Sequence, residues 1–578
     1  GQSLDDVKAL LLGEIEKLKK GEFSEDLLKA VINNKKLDFY TSLESNEDRA
    51  NMFVDAFINR QKWSDVVGRL DRISKITKQQ IVDFANSHFK DNYIAVYKRI
   101  GEDKSIKKID KPQITAIPAN RDLQSKFVTD IINSKTESIQ PKFVDFNKDL
   151  TKSEIKKGLP VLYVKNTENG RFALNYYYKF GETSDKWLPY AAEYFKYLGT
   201  DKMTAEQLKQ KFYELACSYY INVGSRAMSV SISGLAENMP EAMKLMEDFI
   251  ANAKVDKDAY EKYVDIVEKS RADNKLNQRV NFSRLQYYGM YGKYSSALNF
   301  PSTAELKEMD PQKLVDMIKD LKNYKHSVLY YGPMDLKEFT AIVKKEHKTA
   351  KKLADVPQNK PYKMQQTTQN EVYIAPYDAK NIYMIQYHND GKTWNAEQEP
   401  IAALFNEYYG GGMNSIVFQE LREARGLAYS AFAMYGTPGY KDDTEYAYTY
   451  IISQNDKMMD CINTFNSILN TMPKSEKAFE LSKQALMKRL ATSRTTKFSI
   501  INAYLNAEDL GIDYDINKKI YEAVPSMTMD DVAKFEKEHM ANKPYRYMIL
   551  GDEKQLDMKA LEKIGPVKRL TTEEIFGY

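Results

Sequence analysis

Cysteine and histidine are scarce in this chain of 578 residues. The only two cysteines, Cys217 and Cys461, lie in different predicted domains, which excludes a disulfide framework and a cysteine-based metal site. The five histidines are His88, His326, His347, His388 and His539. No two of them lie within one helical turn of each other, so the sequence contains no pair of imidazoles that one helix would present to a metal ion.

Long hydrophobic runs and a strong net charge are also missing. No stretch of about 18 apolar residues occurs, so the sequence predicts no membrane-spanning helix. Lys and Arg number 85 against 81 Asp and Glu, and the resulting net charge of +4 argues against a dedicated nucleic-acid-binding protein. Hydrophobic residues make up 43% of the chain, which is enough for folded cores. The length predicts three to five domains at about 150 residues each.

The first hundred residues resemble the last hundred. A shift of 451 residues aligns them in one register, without a gap, from residue 24 to residue 88. The matched pairs include Ser24 and Ser475, Glu25 and Glu476, Asn51 and Asn502, Thr77 and Thr528, Phe84 and Phe535, and His88 and His539. Each copy then runs into a short predicted strand with a glycine, at 93–101 and at 545–551. A third copy of this ending, at 309–317 and 327–332, predicts three units that end near residues 101, 332 and 551.

The repeat predicts the domain boundaries. The last unit has about 90 strand-rich residues before residue 452, whereas residue 1 already aligns with residue 452. We therefore expect the chain to start inside a domain, as a piece of a longer polypeptide. The predicted parts are the helical end of a second unit (1–101), an extended polar linker (102–145), a third unit (146–342), a connection (343–368) and a fourth unit (369–578).

Strand and helix patterns recur in the same order in the third and fourth units. In the third unit, strand patterns at 159–164 and 172–180 flank Asn169-Gly170, the dipeptide that most strongly predicts a hairpin. The other predicted elements are helices at 187–198, 203–217 and 239–253, a strand at 228–232, and, in the fourth unit, strands at 371–375, 381–388, 428–436 and 444–453 with helices at 396–409 and 414–424. Antiparallel sheets with helices on one face predict the α+β class.

The most informative stretch is 410–429, GGGMNSIVFQELREARGLAY. Three consecutive glycines, Gly410, Gly411 and Gly412, follow one helical pattern and precede a second, and they let the backbone adopt left-handed conformations or approach another chain closely. Gly426 fits the position just past a helix end. Arg422 lies in the last helical turn and Tyr429 opens the next strand. The plain structural alternative is an ordinary turn, with an arginine that suits the helix dipole.

The segment FQELREARGLAYS resembles the L-R-E-x-x-G-L-x-Y stretch of the pitrilysin/insulinase family of zinc peptidases. In the C-terminal half of that family, the arginine and the tyrosine reach into a peptide chamber. The resemblance therefore implies that Arg422 and Tyr429 bind substrate, with both residue types and their spacing intact.

A second segment resembles the zinc helix of the family with its ligands replaced. Tyr190, Glu193 and Tyr194 stand where the family has His-x-x-Glu-His, and a Gly-Thr pair follows at 199–200 as it does there. A phenol stays protonated near neutral pH, since its pKa is about 10, and is a poor zinc ligand. Glu268 lies 74 residues beyond Tyr194, near the position of the family's further glutamate ligand. The resemblance implies an inactive third domain without metal, in which Glu193 is a structural or incidental residue.

The resemblance covers nearly the whole chain and implies half of a clamshell that encloses unfolded peptides. Zinc would sit in a missing N-terminal half, on the same polypeptide or on a partner subunit, and this chain would be inactive alone. Tyr429 would donate a hydrogen bond to the oxyanion, and Arg422 would hold a peptide carbonyl or orient Tyr429. The three glycines would permit close approach at the chamber wall, and a strand edge near 371–375 would take substrate by strand addition.

Two alternatives stay open. In the first, the whole protein is a non-catalytic family member that binds peptides or serves as a scaffold subunit. In the second, it has an unrelated function on a shared fold. Family members of Gram-negative bacteria are often exported to the periplasm, which implies an exported protein by analogy only. The sequence gives neither the peptide preference nor the partner.

Overall fold

The computed structural model describes residues 3–99, 101, 105–107, 125–135, 137–379 and 381–578. The chain forms two compact units, a helical unit of Gly1–Lys35 with Glu47–Gln140, and a sheet unit of Lys36–Asn46 with Pro141–Tyr578. None of the described helices combines the length and the hydropathy that a transmembrane span requires.

The first seven helices precede the first strand. They are α1 (Leu4–Lys20), α2 (Glu25–Leu43), α3 (Asn46–Ile58), α4 (Trp63–Val67), α5 (Arg69–Ile73), α6 (Lys78–His88) and α7 (Lys126–Asn133). Helix α1 packs on α6, where the Asn86 amide donates to the Lys19 carbonyl at 2.9 Å. Helix α7 lies inside the segment for which the sequence predicts an extended linker, and Ser125 caps its start. Residues 102–104, 108–124 and 136 of that predicted linker lie outside the described residues.

The first sheet has six strands in the order β1-β2-β6-β3-β5-β4. Its strands are β1 (Thr151–Lys156), β2 (Leu159–Lys165), β3 (Arg171–Tyr178), β4 (Cys217–Val223), β5 (Met228–Leu235) and β6 (Ser327–Gly332). Strands β2 and β6 are parallel and all other neighbours are antiparallel. The α+β prediction is confirmed, although the sheet is mixed rather than purely antiparallel.

The predicted hairpin at Asn169-Gly170 is wrong. Strand β6 lies between β2 and β3, so the dipeptide joins two strands that do not pair. The Asn169 side chain instead stabilises its own loop, because its Oδ1 accepts hydrogen bonds from the Asn166 amide at 2.8 Å and from the Arg171 N–H at 2.9 Å. The true hairpin joins β1 to β2 at Gly158, whose φ of +83° is the left-handed conformation that glycine tolerates.

Helices cover one face of this sheet. They are α8 (Leu188–Phe195), α9 (Ala205–Glu214), α10 (Met239–Asn252), α11 (Lys257–Lys275), α13 (Thr303–Glu308), α14 (Pro311–Lys319) and α15 (Leu336–Glu346). Helix α12 (Gln278–Tyr291) follows α11 and packs on the other sheet instead. Alternate residues of β3 and β5 are buried against them, as the period of two in a half-covered strand requires. The core includes Phe172, Leu174, Tyr176, Val230 and Ile232.

The second sheet repeats this plan in the order β12-β7-β11-β8-β10-β9. Its strands are β7 (Glu371–Pro376), β8 (Asn381–His388), β9 (Ala428–Gly436), β10 (Tyr446–Gln454), β11 (Arg546–Gly551) and β12 (Val567–Arg569). The helices of the fourth unit are α16 (Glu399–Tyr409), α17 (Ile416–Phe418), α18 (Met458–Asn470), α19 (Glu476–Thr492), α20 (Ser499–Leu510), α21 (Ile516–Ala523), α22 (Met529–His539), α23 (Met558–Ile564) and α24 (Thr572–Phe576).

Strand β7 is not a free edge. It lies between β11 and β12 and is parallel to both, so the predicted strand addition near 371–375 is wrong. The sequence did not reveal β12 because this strand has only three residues. The edge strands of this sheet are β12 and β9.

Each sheet is covered on its outer face by a helix from the other half of the sheet unit. Helix α20 packs Ile501 and Leu505 on Leu162, Val164 and Leu329 of the first sheet. Conversely, α12 packs Phe282, Leu285 and Tyr288 on the outer face of the second sheet, around Tyr387, Met548 and Leu550. The two sheets therefore exchange covering helices.

The repeat is visible helix for helix. Helices α6 and α22 both follow a capping box, formed by Thr77 with Gln80 and by Thr528 with Asp531, and both end at the matched histidine. The strand predicted at 93–101 does not form within residues 93–99. The corresponding strands β6 and β11 each lie between two other strands, and no such neighbours flank 93–99 in the described part of the chain.

Candidate functional site

The stretch between α16 and β9 forms a sharp corner. The sequence predicts one helix over 414–424, but the structure has a short α17, begun by the Ser415 side chain, followed by a π-helix at Gln419–Glu423. The Ala424 N–H donates to the Gln419 carbonyl at 2.8 Å, five residues back. Such π-turns are frequent at functional sites. This one contains Arg422, and no simple spacing of apolar residues would have revealed it.

Arg422 and Tyr429 lie on the two sides of this corner. Gly426 has a φ of +57° and its N–H donates to the Arg422 carbonyl at 3.0 Å, so the predicted left-handed residue past the helix end is found. The Tyr429 side chain is 79% exposed. The Arg422 guanidinium carbon lies 5.9 Å from the centre of the Tyr429 ring and 5.0 Å from that of Phe418.

The hydrogen-bond donors of this pair face solvent. In the described residues no carboxylate lies within 4.0 Å of the Arg422 guanidinium, whereas the neighbouring Arg425 pairs with Glu420. The corner thus presents a guanidinium fork and a phenol with no acceptor of their own. Such a pair is suited to bind carbonyl oxygens or a developing oxyanion.

The three glycines do not adopt left-handed conformations, so that expectation is wrong for them. Gly410 is required for another reason, because a Cβ on it would lie 1.9 Å from the Ala433 carbonyl oxygen of β9. At Gly411 a Cβ would lie 2.8 Å from the Asn406 carbonyl oxygen, and at Gly412 it would meet nothing within 4 Å. The close approach that the sequence predicts therefore occurs inside the domain, between α16 and β9.

Asn406 of α16 caps the outer edge of β9 at one residue, Tyr435. Its side-chain amide donates to the Tyr435 carbonyl at 2.9 Å, and its Oδ1 accepts from the Tyr435 N–H at 2.8 Å. One side chain thus satisfies both outward-facing backbone groups of Tyr435. Sequence reasoning missed this residue, although an asparagine that directly follows Leu404 and Phe405 in an apolar helical pattern was a signal.

The residues that replace the zinc motif are dispersed. Tyr194 is fully buried, and its hydroxyl donates to the Asp256 carbonyl at 2.7 Å and accepts from the Asp256 N–H at 3.0 Å. Burial raises the pKa of the Tyr194 phenol above its usual value. Glu193 points to solvent and pairs with Lys196 at 2.6 Å. Glu268 pairs with Lys307 at 2.7 Å, so the two carboxylates do not share a site.

A buried arginine lies beside this motif. Arg271 of α11 is 7% exposed and donates to the Tyr190 hydroxyl at 3.2 Å and to the Pro301 carbonyl at 2.6 Å. Its guanidinium also stacks near the rings of Phe300 and Tyr578, at 5.0 and 5.1 Å. A fixed cation here repels a divalent metal ion. The residues therefore do not fit zinc, and the described part of the chain holds no group of three or more His, Cys, Asp or Glu side chains arranged for a metal.

Residues 309–486 match the family model described as the peptidase M16 inactive domain. No curated protein matches the chain in sequence. Among solved structures, a peptidase M16 inactive domain from Pseudomonas fluorescens is 14% identical with a TM-score of 0.56, covering 70% of this chain and 98% of its own.

Two longer proteases share the fold. The periplasmic protease PqqL from Escherichia coli is 13% identical with a TM-score of 0.56, over 95% of this chain and 63% of PqqL. The ferredoxin protease FusC, solved in complex with Arabidopsis ferredoxin, is 11% identical with a TM-score of 0.57, over 93% of this chain and 62% of FusC. The chain thus spans less than two thirds of either protease, and at these identities the likeness shows the fold.

Proposed function

We propose that this chain is the non-catalytic C-terminal part of a peptidase of the M16 family, the pitrilysin/insulinase peptidases, whose inactive-domain model matches residues 309–486, and that it binds unfolded polypeptides for a zinc-bearing half that lies outside it. That half would be on the same polypeptide or on a partner subunit. Zinc, bound there, would supply the activated water for peptide hydrolysis. The family's peptidase chemistry and the ferredoxin bound to FusC support a polypeptide as the substrate class.

The observation that carries the proposal is the pair of unpaired donors at the corner before β9. Tyr429 is exposed on the strand, and Arg422 lies beside it without a carboxylate in the described residues. In the assembled enzyme, the Tyr429 O–H would donate to the oxyanion of the tetrahedral intermediate. Arg422 would donate to a neighbouring peptide carbonyl and so fix the register of the substrate.

The first experiment uses the chain as it exists. A fluorescein-labelled unstructured peptide of mixed sequence is titrated with the protein, and its anisotropy and its cleavage are followed together. We expect binding without cleavage, because the chain supplies donors but no metal ligands. Arg422→Ala should weaken binding by about tenfold to a hundredfold, since a hydrogen bond to a charged donor contributes about 1.5–3 kcal/mol. Absence of peptide binding by the unaltered chain would refute the proposal.

The second experiment tests the catalytic role in the presence of a zinc-bearing half. Tyr429→Phe should lower kcat by about 10²–10³ with little change in KM, as expected for a donor used only in the transition state. Tyr197→Phe, at an exposed tyrosine of the first sheet's helical layer, is the matched control. An unchanged kcat for Tyr429→Phe would remove the oxyanion role. Peptide binding without cleavage in every pairing would favour the alternative, an inactive peptide-binding or scaffold subunit.

A further inference from the structure

Strand β4 forms one edge of the first sheet, and its hydrogen bonds alternate in direction. The Gly224 N–H donates to the Ala227 carbonyl at 2.8 Å and closes the turn between β4 and β5. Because hydrogen-bonded pairs alternate along an antiparallel ladder, Ser218, Tyr220 and Asn222 bond to β5. The Leu235 N–H, which donates to the Ala216 carbonyl at 3.2 Å, confirms this alternation at the far end of the ladder.

The backbone groups of Tyr219, Ile221 and Val223 therefore point away from the sheet. Among the residues that the structure describes, no backbone or side-chain group bonds to these three N–H and three C=O groups. Tyr220 is 54% exposed and Asn222 is exposed, so the outer face of β4 is open to solvent beside these groups, although the Ile221 side chain is buried in the core. An unpaired edge of this kind is a template for another strand.

The corresponding edge of the second sheet is capped at one residue, Tyr435. Helices α8 and α16 match through a proline near the start of each helix, Pro189 and Pro400, and a glycine ten residues later. Six residues after the proline stands Asn406 in α16 and Phe195 in α8. Asn406 satisfies both outward backbone groups of Tyr435, whereas Phe195 is a buried side chain with no polar atom. The third unit therefore has no counterpart of the Asn406 side chain that caps β9 at Tyr435.

The other edges of the two sheets are poorer templates. Strand β1 has a register shift between Glu154 and Lys156, and such bulges twist an edge out of line. Strand β12 has three residues, Val567–Arg569. Strand β4 combines a regular ladder with three outward-facing residues, Tyr219, Ile221 and Val223, whose backbone groups have no partner in the described chain.

We propose that the outer edge of β4 binds an extended polypeptide segment, which adds to the first sheet as a further strand through Tyr219, Ile221 and Val223. This inference rests on the proposed function and names the place where the bound polypeptide would be held. Strand β4 would recognise the backbone N–H and C=O groups of the added segment, so binding would tolerate many peptide sequences. On the outer face of the sheet, β4 itself carries Ser218, Tyr220 and Asn222, so the side chains beside the added strand are polar and uncharged.

The test compares two variants at one position. Val223→Pro removes an outward N–H and leaves the ladder to β5 intact, since that N–H does not bond to β5. Val223→Ala keeps the N–H and is the matched control for the lost side chain. The probe is the same fluorescein-labelled unstructured peptide. We expect Val223→Ala to bind within about twofold of the unaltered protein and Val223→Pro to bind at least about tenfold more weakly.

Hydrogen exchange provides the second measurement and needs no variant. Addition of the peptide to the unaltered protein should slow amide exchange in 217–223, which covers the case in which Val223→Pro fails to fold. This inference would be overturned if Arg422→Ala lowers peptide binding but the peptide does not protect 217–223 from exchange. It would also be overturned if Val223→Pro folds and binds the peptide as the unaltered protein does. Either result would leave the proposed function standing. No peptide binding at all by the unaltered protein would overturn both.

Discussion

Glu536 of α22 is a buried carboxyl whose ionisation should govern the stability of the fourth unit. The residue is 5% exposed, and its Oε1 has no hydrogen-bond partner among the described residues. Burial raises the pKa of Glu536 from its ordinary value of 4.5 to about 7, because the charged form has lost its water.

The sign and size of the effect follow from this difference in pKa. Well below pH 4.5 the carboxyl is protonated in both the folded and the unfolded chain, so its ionisation does not lower the free energy of unfolding. Between pH 4.5 and about 7 the folded protein holds the proton that the unfolded chain releases, so stability falls as the pH rises. Above pH 7 the loss is complete and amounts to about 3 kcal/mol.

The substitution Glu536→Gln removes the titration and keeps the shape of the side chain. We expect the variant to be more stable than the unaltered protein by about 3 kcal/mol at pH 8, and equally stable at pH 4.5 and below. Urea unfolding at the two pH values measures both differences. Glu538→Gln on the same helix, at a side chain 54% exposed, is the control and should change stability little at either pH. Equal stability of Glu536→Gln and the unaltered protein at pH 8 would refute the reasoning.

Two further predictions concern packing. Gly410→Ala should destabilise the protein by about 3 kcal/mol, because its Cβ would overlap a backbone oxygen of β9 at 1.9 Å. Gly412→Ala should leave the stability unchanged, because its Cβ would meet nothing within 4 Å. Thermal unfolding compares the two variants, and equal melting temperatures would contradict the close approach. Tyr194→Phe should cost about 1–2 kcal/mol by removing both hydrogen bonds to the Asp256 backbone, with the exposed Tyr287→Phe as a control without effect in the same denaturation assay.

Local elements of the fold could be predicted from the sequence, because apolar periodicity and capping residues are local signals. The matched pairs Thr77/Thr528 and His88/His539 of the repeat lie at the two ends of α6 and α22. The order of the strands was not visible. Strand β6 inserts between β2 and β3 from about 150 residues away in sequence, and no local signal at Asn169-Gly170 announces it. For the same reason, β7 looked like an edge while β12 covers it.

The candidate site was predicted from the motif around Arg422 and Tyr429, and the structure places both side chains at one corner. The residues that act through burial or through hydrogen bonds to a distant strand were not predicted. Arg271 looks like any helical arginine until its burial beside Tyr190 is known. Asn406 was missed because its partner, Tyr435, lies on a strand 29 residues later. Both depend on tertiary contacts that a single sequence does not display.

The exchange of covering helices between the two sheets has a consequence for synthesis. The last strand of the first sheet ends at Gly332, but the helix that covers its outer face, α20, begins at Ser499. On a ribosome, the apolar patch of Leu162, Val164 and Leu329 would stay uncovered for roughly 10 to 30 seconds while about 170 further residues are made. During that interval the nascent chain exposes an apolar patch that favours aggregation. A chaperone that binds apolar surfaces would protect this patch until the fourth unit is synthesised.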